Sequence, residues 1–178
     1  SCKKHEDTGG TPSGSARINS TATASTTGSA STTNEQPGRH GDHITVLAHH
    51  KDPKPTDPVR INFERFKVVS ANFDPQKVEG GKATIEIDLS SFHTDSDERD
   101  EHLKSPSYLD VAKLATATVT IDNVKQKAGT TYTADATVAA HGMTKSYPVT
   151  FDVLERNSDS ITIKGQHTFT RLDFGIGT

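Results

Sequence analysis

From residue 43 onward apolar and polar residues take turns along stretch after stretch, and a period of two confines a chain to β-structure. Val59, Ile61 and Phe63 alternate with Arg60, Asn62 and Glu64, and Ile85, Ile87 and Leu89 with Thr84, Glu86 and Asp88. The pattern returns over 115–121, 132–138, 147–153 and 161–169, with a shorter stretch over 43–48. Turn residues separate these runs at Gly80-Gly81, Ala128-Gly129 and Asn157-Ser158-Asp159. The gaps are too short for crossover helices, so the strands must pair antiparallel, with one apolar and one wet face each. Seven or more such strands read as a meander closed into a barrel, or as a sandwich. Closure also removes the open edges that invite aggregation.

The first forty residues read differently. Only Cys2, Ala16, Ile18, Ala22, Ala24 and Ala30 are apolar there, none is aromatic, and Ser and Thr dominate. Such a composition buries too little apolar surface to offset the entropy of ordering, so residues 1–41 are expected to be a disordered tether and 42–178 a single folded domain. As a coil the tether would reach about 35 Å.

Between the runs at 85–89 and 115–121 lies a polar excursion, Ser96-Asp97-Glu98-Arg99-Asp100-Glu101-His102-Leu103-Lys104-Ser105-Pro106-Ser107-Tyr108-Leu109-Asp110-Val111. Asp95 and Glu98 have capping-box spacing and Pro106 stops a helix near Lys104. Asp95/Arg99 and Asp100/Lys104 are spaced for i,i+4 ion pairs. Leu103, Tyr108, Leu109 and Val111 are its apolar points, and they predict an insert pressed onto the end of the barrel as a lid. The bland reading of a charged run is a solvated surface helix.

The wording R-D-x-H-L-x-S-x-x-Y-x-D-V of this insert resembles the YceI-like family of secreted, lipocalin-like barrels that bind isoprenoid lipids. His141-Gly142-Met143-Thr144-Lys145 and Arg171-Leu172-Asp173-Phe174-Gly175 continue the resemblance in order. Two departures stand out, Ser96-Asp97 in place of a commoner Gly-Asn, and Leu114-Ala115-Thr116 in place of Tyr-Pro-Thr. The resemblance implies an all-β, antiparallel lipocalin-like barrel with a short helical insert capping one end. Family members continue past the D-F-G motif into a closing strand. This chain ends at Thr178, so either the sequence is cut short or 169–174 is left as an edge.

On the inward faces Ala115, Ala117, Ala134 and Ala136 stand where a packed core would take larger residues. Barrel taper and an internal cavity account for them about equally well. The resemblance favours a cavity, with Phe63, Ile85, Ile87, Val119, Ala134, Ala136, Val149, Phe151, Ile163 and Phe169 as its lining. It implies binding or sequestration of a long apolar, isoprenoid-type lipid. The alternative is a non-binding structural or stress-response barrel of the cell envelope.

The single cysteine, Cys2, stands ahead of Lys3-Lys4 and the Ser/Thr-rich segment. That placement suits a lipidated residue and predicts a bacterial envelope lipoprotein, in the periplasm or at the outer membrane, with an incidental thiol as the other reading. The partners expected are thus an apolar lipid and a membrane reached through the anchor, with a homodimer left open. A net charge of −3 and scattered basic residues argue against nucleic acid. Nine histidines raise a metal-handling or redox role through His49, His50, His102 or His141. No pair has the i,i+4 spacing beside a carboxylate that a helical zinc site needs, and no metal is expected. Gly175-Ile176-Gly177 is no dinucleotide loop, there is no G-x-S-x-G elbow, and the one thiol lies outside the fold. No catalytic residues and no cofactor are expected, and the chain reads as a binding protein without enzyme activity.

Overall fold

The computed structural model describes residues 15–25, 43–49 and 58–177. In chain order the strands are β1 (Ser15–Ser25), β2 (His43–His49), β3 (Val59–Phe63), β4 (Phe66–Asp74), β5 (Lys77–Asp88) and β6 (Phe92–His93). The short helix α1 (Asp97–Lys104) follows, then β7 (Thr116–Ala128), β8 (Thr131–Ala140), β9 (Met143–Arg156) and β10 (Ser160–Thr170). All pairings are antiparallel, in the order β4-β5-β7-β8-β9-β10-β1-β2-β3-β6.

The two ends of that order are continuations of one another. β3 runs into β4 across Glu64-Arg65, and β5 runs into β6 through a 3-10 turn at Leu89–Ser91. β4 pairs with β5, and β3 pairs with β6. The sheet therefore curls into a barrel of eight continuous strands, lipocalin-like, with the insert at one end. The kink is held by hydrogen bonds rather than by packing alone. Arg65 O accepts from Asp88 N at 3.0 Å, and the Arg65 guanidinium donates to Asp88 Oδ2 at 2.9 Å. Burial opposes ionisation of Asp88, but hydrogen bonds from Ser90 and Arg65 win and hold its carboxyl below the usual carboxylate range.

Strand phase shifts where the pattern breaks. On β7 the inward residues are Ala117, Val119 and Ile121, then Val124, because Asn123 adopts φ 52° in a register irregularity between Asp122 and Lys125. The Asn123 amide donates to Asp135 Oδ2 at 2.8 Å across the bulge. The β8–β9 hairpin turns through His141 (φ 51°) and Gly142 (φ 74°), the two positive-φ positions of a tight primed turn.

Two expectations need correcting. Ser15–Ser25, read from composition as tether, is a strand flanked on both sides. It pairs with β10 from Ser15↔Thr170 to Ser25↔Ser160, and with β2 from Ser15↔His49 to Thr21↔His43. β10 is thus no open edge. Residues 1–14 and 26–41 of the expected tether, Cys2 among them, lie outside the described residues. β4 escaped the period-two reading, because irregularities at Val68/Ser70 and Asn72/Asp74 scramble its alternation and leave Val68 and Val69 exposed.

The interior divides along the barrel axis. At the end formed by the β4–β5, β7–β8 and β9–β10 turns, Val78, Val124, Tyr132, Ala134, Phe151, Val153 and Ile161 form a filled core, with Phe73, Ile121, Val149 and Ile163 against it. Tyr132 stacks on Phe151 with centroids 5.7 Å apart. At the insert end a second cluster holds Ile44, Phe66, Ile87, Leu89 and Ala117. That cluster forms a wall around space.

Candidate functional site

The space is a cavity of about 440 Å³ beneath the insert. Its wall is the insert-side half of the inward faces: Ile44, Val46 and Ala48 of β2, Val59, Ile61 and Phe63 of β3, and Ile87 and Leu89 at the end of β5. Ala117 and Val119 of β7, Val138 and Ala140 of β8, and Phe169 of β10 complete it. Small side chains on β7 and β8 leave the room, and aliphatic and aromatic ones line it.

Two caps cover this end. The first is the insert, which brings Arg99, His102, Leu103, Tyr108 and Leu109 to the cavity. Its helix starts one residue later than capping-box spacing suggests. Ser96 is the N-cap, its hydroxyl accepting from Arg99 N at 3.4 Å. Asp95 and Arg99 do pair. Asp100 does not pair with Lys104. It is buried, and its Oδ1 accepts from Thr94 N at 2.9 Å and from Thr94 Oγ1 at 2.6 Å, which ties the helix start back to the barrel rim. Lys104 instead reaches Glu101 at 3.5 Å and sits over the Phe92 ring at 5.7 Å. His102 packs edge-on against Tyr108, centroids 4.8 Å apart. Val111 packs against the wall cluster rather than lining the space.

The second cap is the 3-10 turn Arg171–Phe174 with Ile176 behind it. Phe174, with no exposed surface, is the most deeply buried large side chain among the described residues. Its carbonyl oxygen is bonded to Nδ1 of His141 at 2.9 Å. The Tyr147 hydroxyl donates to Asp173 Oδ2 at 3.0 Å. Burial and that hydrogen bond push the Tyr147 phenol up to about 12. The β8–β9 hairpin thus pins the turn at two points. The Arg171 guanidinium donates to the carbonyl oxygens of Ile176 and Gly177. Gly177 has φ 66°, and a side chain there would collide with Arg171 and crowd Tyr108, so glycine lets the two caps meet.

Of the ten lining residues expected from sequence, Phe63, Ile87, Val119 and Phe169 line the cavity. Ala134, Val149, Phe151 and Ile163 belong to the filled half, where aromatic rings occupy the middle of the barrel. Ala136 is buried opposite Tyr147, and Ile85 packs against the wall cluster. The expected lid residues Leu103, Tyr108 and Leu109 reach the space. Sequence reasoning missed the β2 residues, Val59, Ile61, Leu89, Val138, Ala140 and the whole second cap. The overlooked signal was position along each strand: the lining residues are those nearest the insert. Among the described residues no group of three His, Cys, Asp or Glu side chains is placed to hold a metal ion, and no helix is long and apolar enough to cross a membrane.

The family model described as "YceI-like domain" matches residues 39–178. A UPF0312 protein of Shewanella baltica is 27% identical over 119 residues, 63% of this chain and 62% of the relative. Another UPF0312 protein, from Pseudomonas savastanoi pv. phaseolicola, is 30% identical over 110 residues, 59% of this chain and 57% of the relative. The chain therefore spans about three fifths of the length of these relatives. Among solved structures, the YCEI protein of Campylobacter jejuni superposes with a TM-score of 0.62 at 20% identity, covering 71% of this chain and 76% of the other. BcnA of Burkholderia cenocepacia superposes with a TM-score of 0.53 at 14% identity, covering 88% and 96%.

Proposed function

Because the chain belongs to the YceI-like family, we propose that it binds one apolar, chain-like lipid of isoprenoid type in the cavity under the insert, without catalysing a reaction on it. The observation that carries this reading is the cavity itself, about 440 Å³ walled by aliphatic and aromatic side chains in a barrel whose other half is filled. The volume falls within the roughly 300–1,000 Å³ of sites that enclose small ligands. Each buried methylene contributes about 0.8 kcal/mol, so a buried stretch of about ten offers ~8 kcal/mol before the costs of association. No specific polar contact is needed for that.

Native mass spectrometry of gently purified protein tests the reading. A retained apolar adduct, released on denaturation and regained on adding a prenyl lipid, is the expected result. Protein that stays empty with every apolar chain offered would overturn it and leave the non-binding structural barrel. An envelope location with acyl chains on Cys2 is proposed alongside. Cys2→Ser precursor should move to the soluble envelope fraction, and retention on membranes through a high-salt wash would refute the anchor.

A further inference from the structure

Large apolar side chains stand in water at the end of the barrel that holds the cavity. Met143 opens β9 and is 45% exposed, and Leu172 stands in the second cap and is 40% exposed. Met143 pairs across the hairpin with Ala140, so it shares the face that lines the cavity, yet it remains nearly half exposed at the rim. Lys145, opposite Val138, follows it on the same face and is exposed as well. The bonds from His141 to the Phe174 carbonyl and from Tyr147 to Asp173 hold hairpin and cap side by side. The insert presents a different surface. Asp95, Asp97, Glu98 and Glu101 are exposed on it, and its Arg99 and Lys104 are paired with the first and last of these. The rim is therefore apolar and basic at the hairpin and acidic at the helix. The start of β1 lies at this same end. Ser15 stands opposite Thr170, the residue that caps the second turn, and Ser15 is thirteen positions after Cys2. Thirteen residues reach at most about 45 Å even when fully extended.

Exposed apolar side chains beside an ammonium group, at the opening of an apolar cavity, suit a lipid surface. We infer that the β8–β9 hairpin and the second cap form a membrane-docking face. Met143 and Leu172 enter the interfacial region, Lys145 meets anionic headgroups, and the acidic insert stays on the water side. An anchor on Cys2 starts from this end of the barrel, so it keeps this face near the bilayer and raises its local concentration there. A second copy of the chain is a poorer occupant, because a two-fold contact would bring both Lys145 side chains into one interface. The inference rests on the lipid-binding reading for what crosses the face: ligand passes between bilayer and cavity without transit through water.

Vesicle flotation tests it, using the full 178-residue chain without acyl groups so that the anchor plays no part. Vesicles of phosphatidylethanolamine and phosphatidylglycerol should carry the protein up the gradient, and less of it when phosphatidylcholine replaces the phosphatidylglycerol. Met143→Ser and Leu172→Ser should each weaken partitioning severalfold, and together by about tenfold or more. Lys145→Gln should remove the preference for anionic vesicles. Leu154→Ser is the control: Leu154 is 53% exposed but lies on β9 beside Val153 of the filled half, and its variant should float as the wild type does. Wild type that no vesicle carries, or equal losses for Leu154→Ser and Leu172→Ser, overturns the inference. So does a dimer in sedimentation equilibrium that the Met143→Ser, Leu172→Ser double variant dissociates while no vesicle carries the wild type, which gives the face to a second copy. Flotation reads docking and native mass spectrometry reads ligand, so the two can fail separately. Protein that docks but stays empty keeps the docking face and loses the lipid-binding reading.

Discussion

Three inward alanines look alike in the sequence and do different things in the barrel. Ala134 is 5% exposed inside the filled half, on the same strand as Tyr132 and next to the strand that carries Phe151. Ala117 and Ala140 stand at the cavity wall. Taper explains the first, an open interior explains the other two, and both accounts hold in different halves. Nothing in the alternation of β7 and β8 separates them, because the difference is set by the Tyr132 and Phe151 rings that fill one half. Ala134→Leu should therefore overpack and cost roughly 1–3 kcal/mol in chemical denaturation. Ala140→Leu projects into space, so it should cost less than about 1 kcal/mol while weakening lipid uptake severalfold. Equal destabilisation by the two substitutions would refute the division of the interior. Tyr147 carries a second prediction. Its phenol titrates near 12 in the fold, against about 10 in an unfolded chain, so the folded state favours the neutral form. That stabilisation is fully present below pH 10 and is lost as pH rises toward 12. Denaturation curves from pH 9 to 12 should fall more steeply for the wild type than for Tyr147→Phe.

At the level of elements, what could be read depended on whether burial or pairing shapes the strand. β3, β5, β8, β9 and most of β7 keep one wet face, and their alternation announced them. β4 is exposed along much of its length and twice interrupted in register, so hydrophobic period carries no signal there. The insert was visible as a helix and a cap, but its anchoring was not. Charge spacing suggested that Asp100 pairs with Lys104, whereas Asp100 is 8% exposed and serves as acceptor for Thr94. Tertiary burial chose between two acceptable partners. Asp100→Ala strands the Thr94 N–H and hydroxyl in a partly buried place, a loss of about 1–3 kcal/mol. Because those bonds join helix to rim, hydrogen exchange should accelerate over 94–104 first, and bound lipid should leave faster. Uniform exchange across the barrel would show that the cap does not open on its own.

The molecule as a whole depends on a strand that composition argued away. Ser and Thr made residues 15–25 look unable to fold. The strand is held instead by ladders on both edges, eleven paired positions with β10 and seven with β2. Thr suits a pleated backbone, and Ala16, Ile18, Ala22 and Ala24 preserve a period of two that the low hydrophobicity hid. On the tether reading, removing this stretch would leave stability untouched. In the structure, removing Ser15–Ser25 opens both β10 and β2, and the loss of hydrogen bonds worth about 0.5–1.5 kcal/mol each approaches the roughly 5–15 kcal/mol that holds a domain together. Exposed edges also recruit other chains. The shortened protein should melt far lower and elute as aggregates in size-exclusion chromatography. A point substitution makes the same case without shortening the chain. Ser20 sits opposite both Gly165 and Ile44, so proline there removes a ladder donor from a strand flanked on both sides. Ser20→Pro should lower the melting temperature clearly, while a proline in an unpaired tether would change nothing. If Ser20→Pro melts with the wild type, β1 is not part of the barrel, and β10 and β2 must find their closing partner elsewhere.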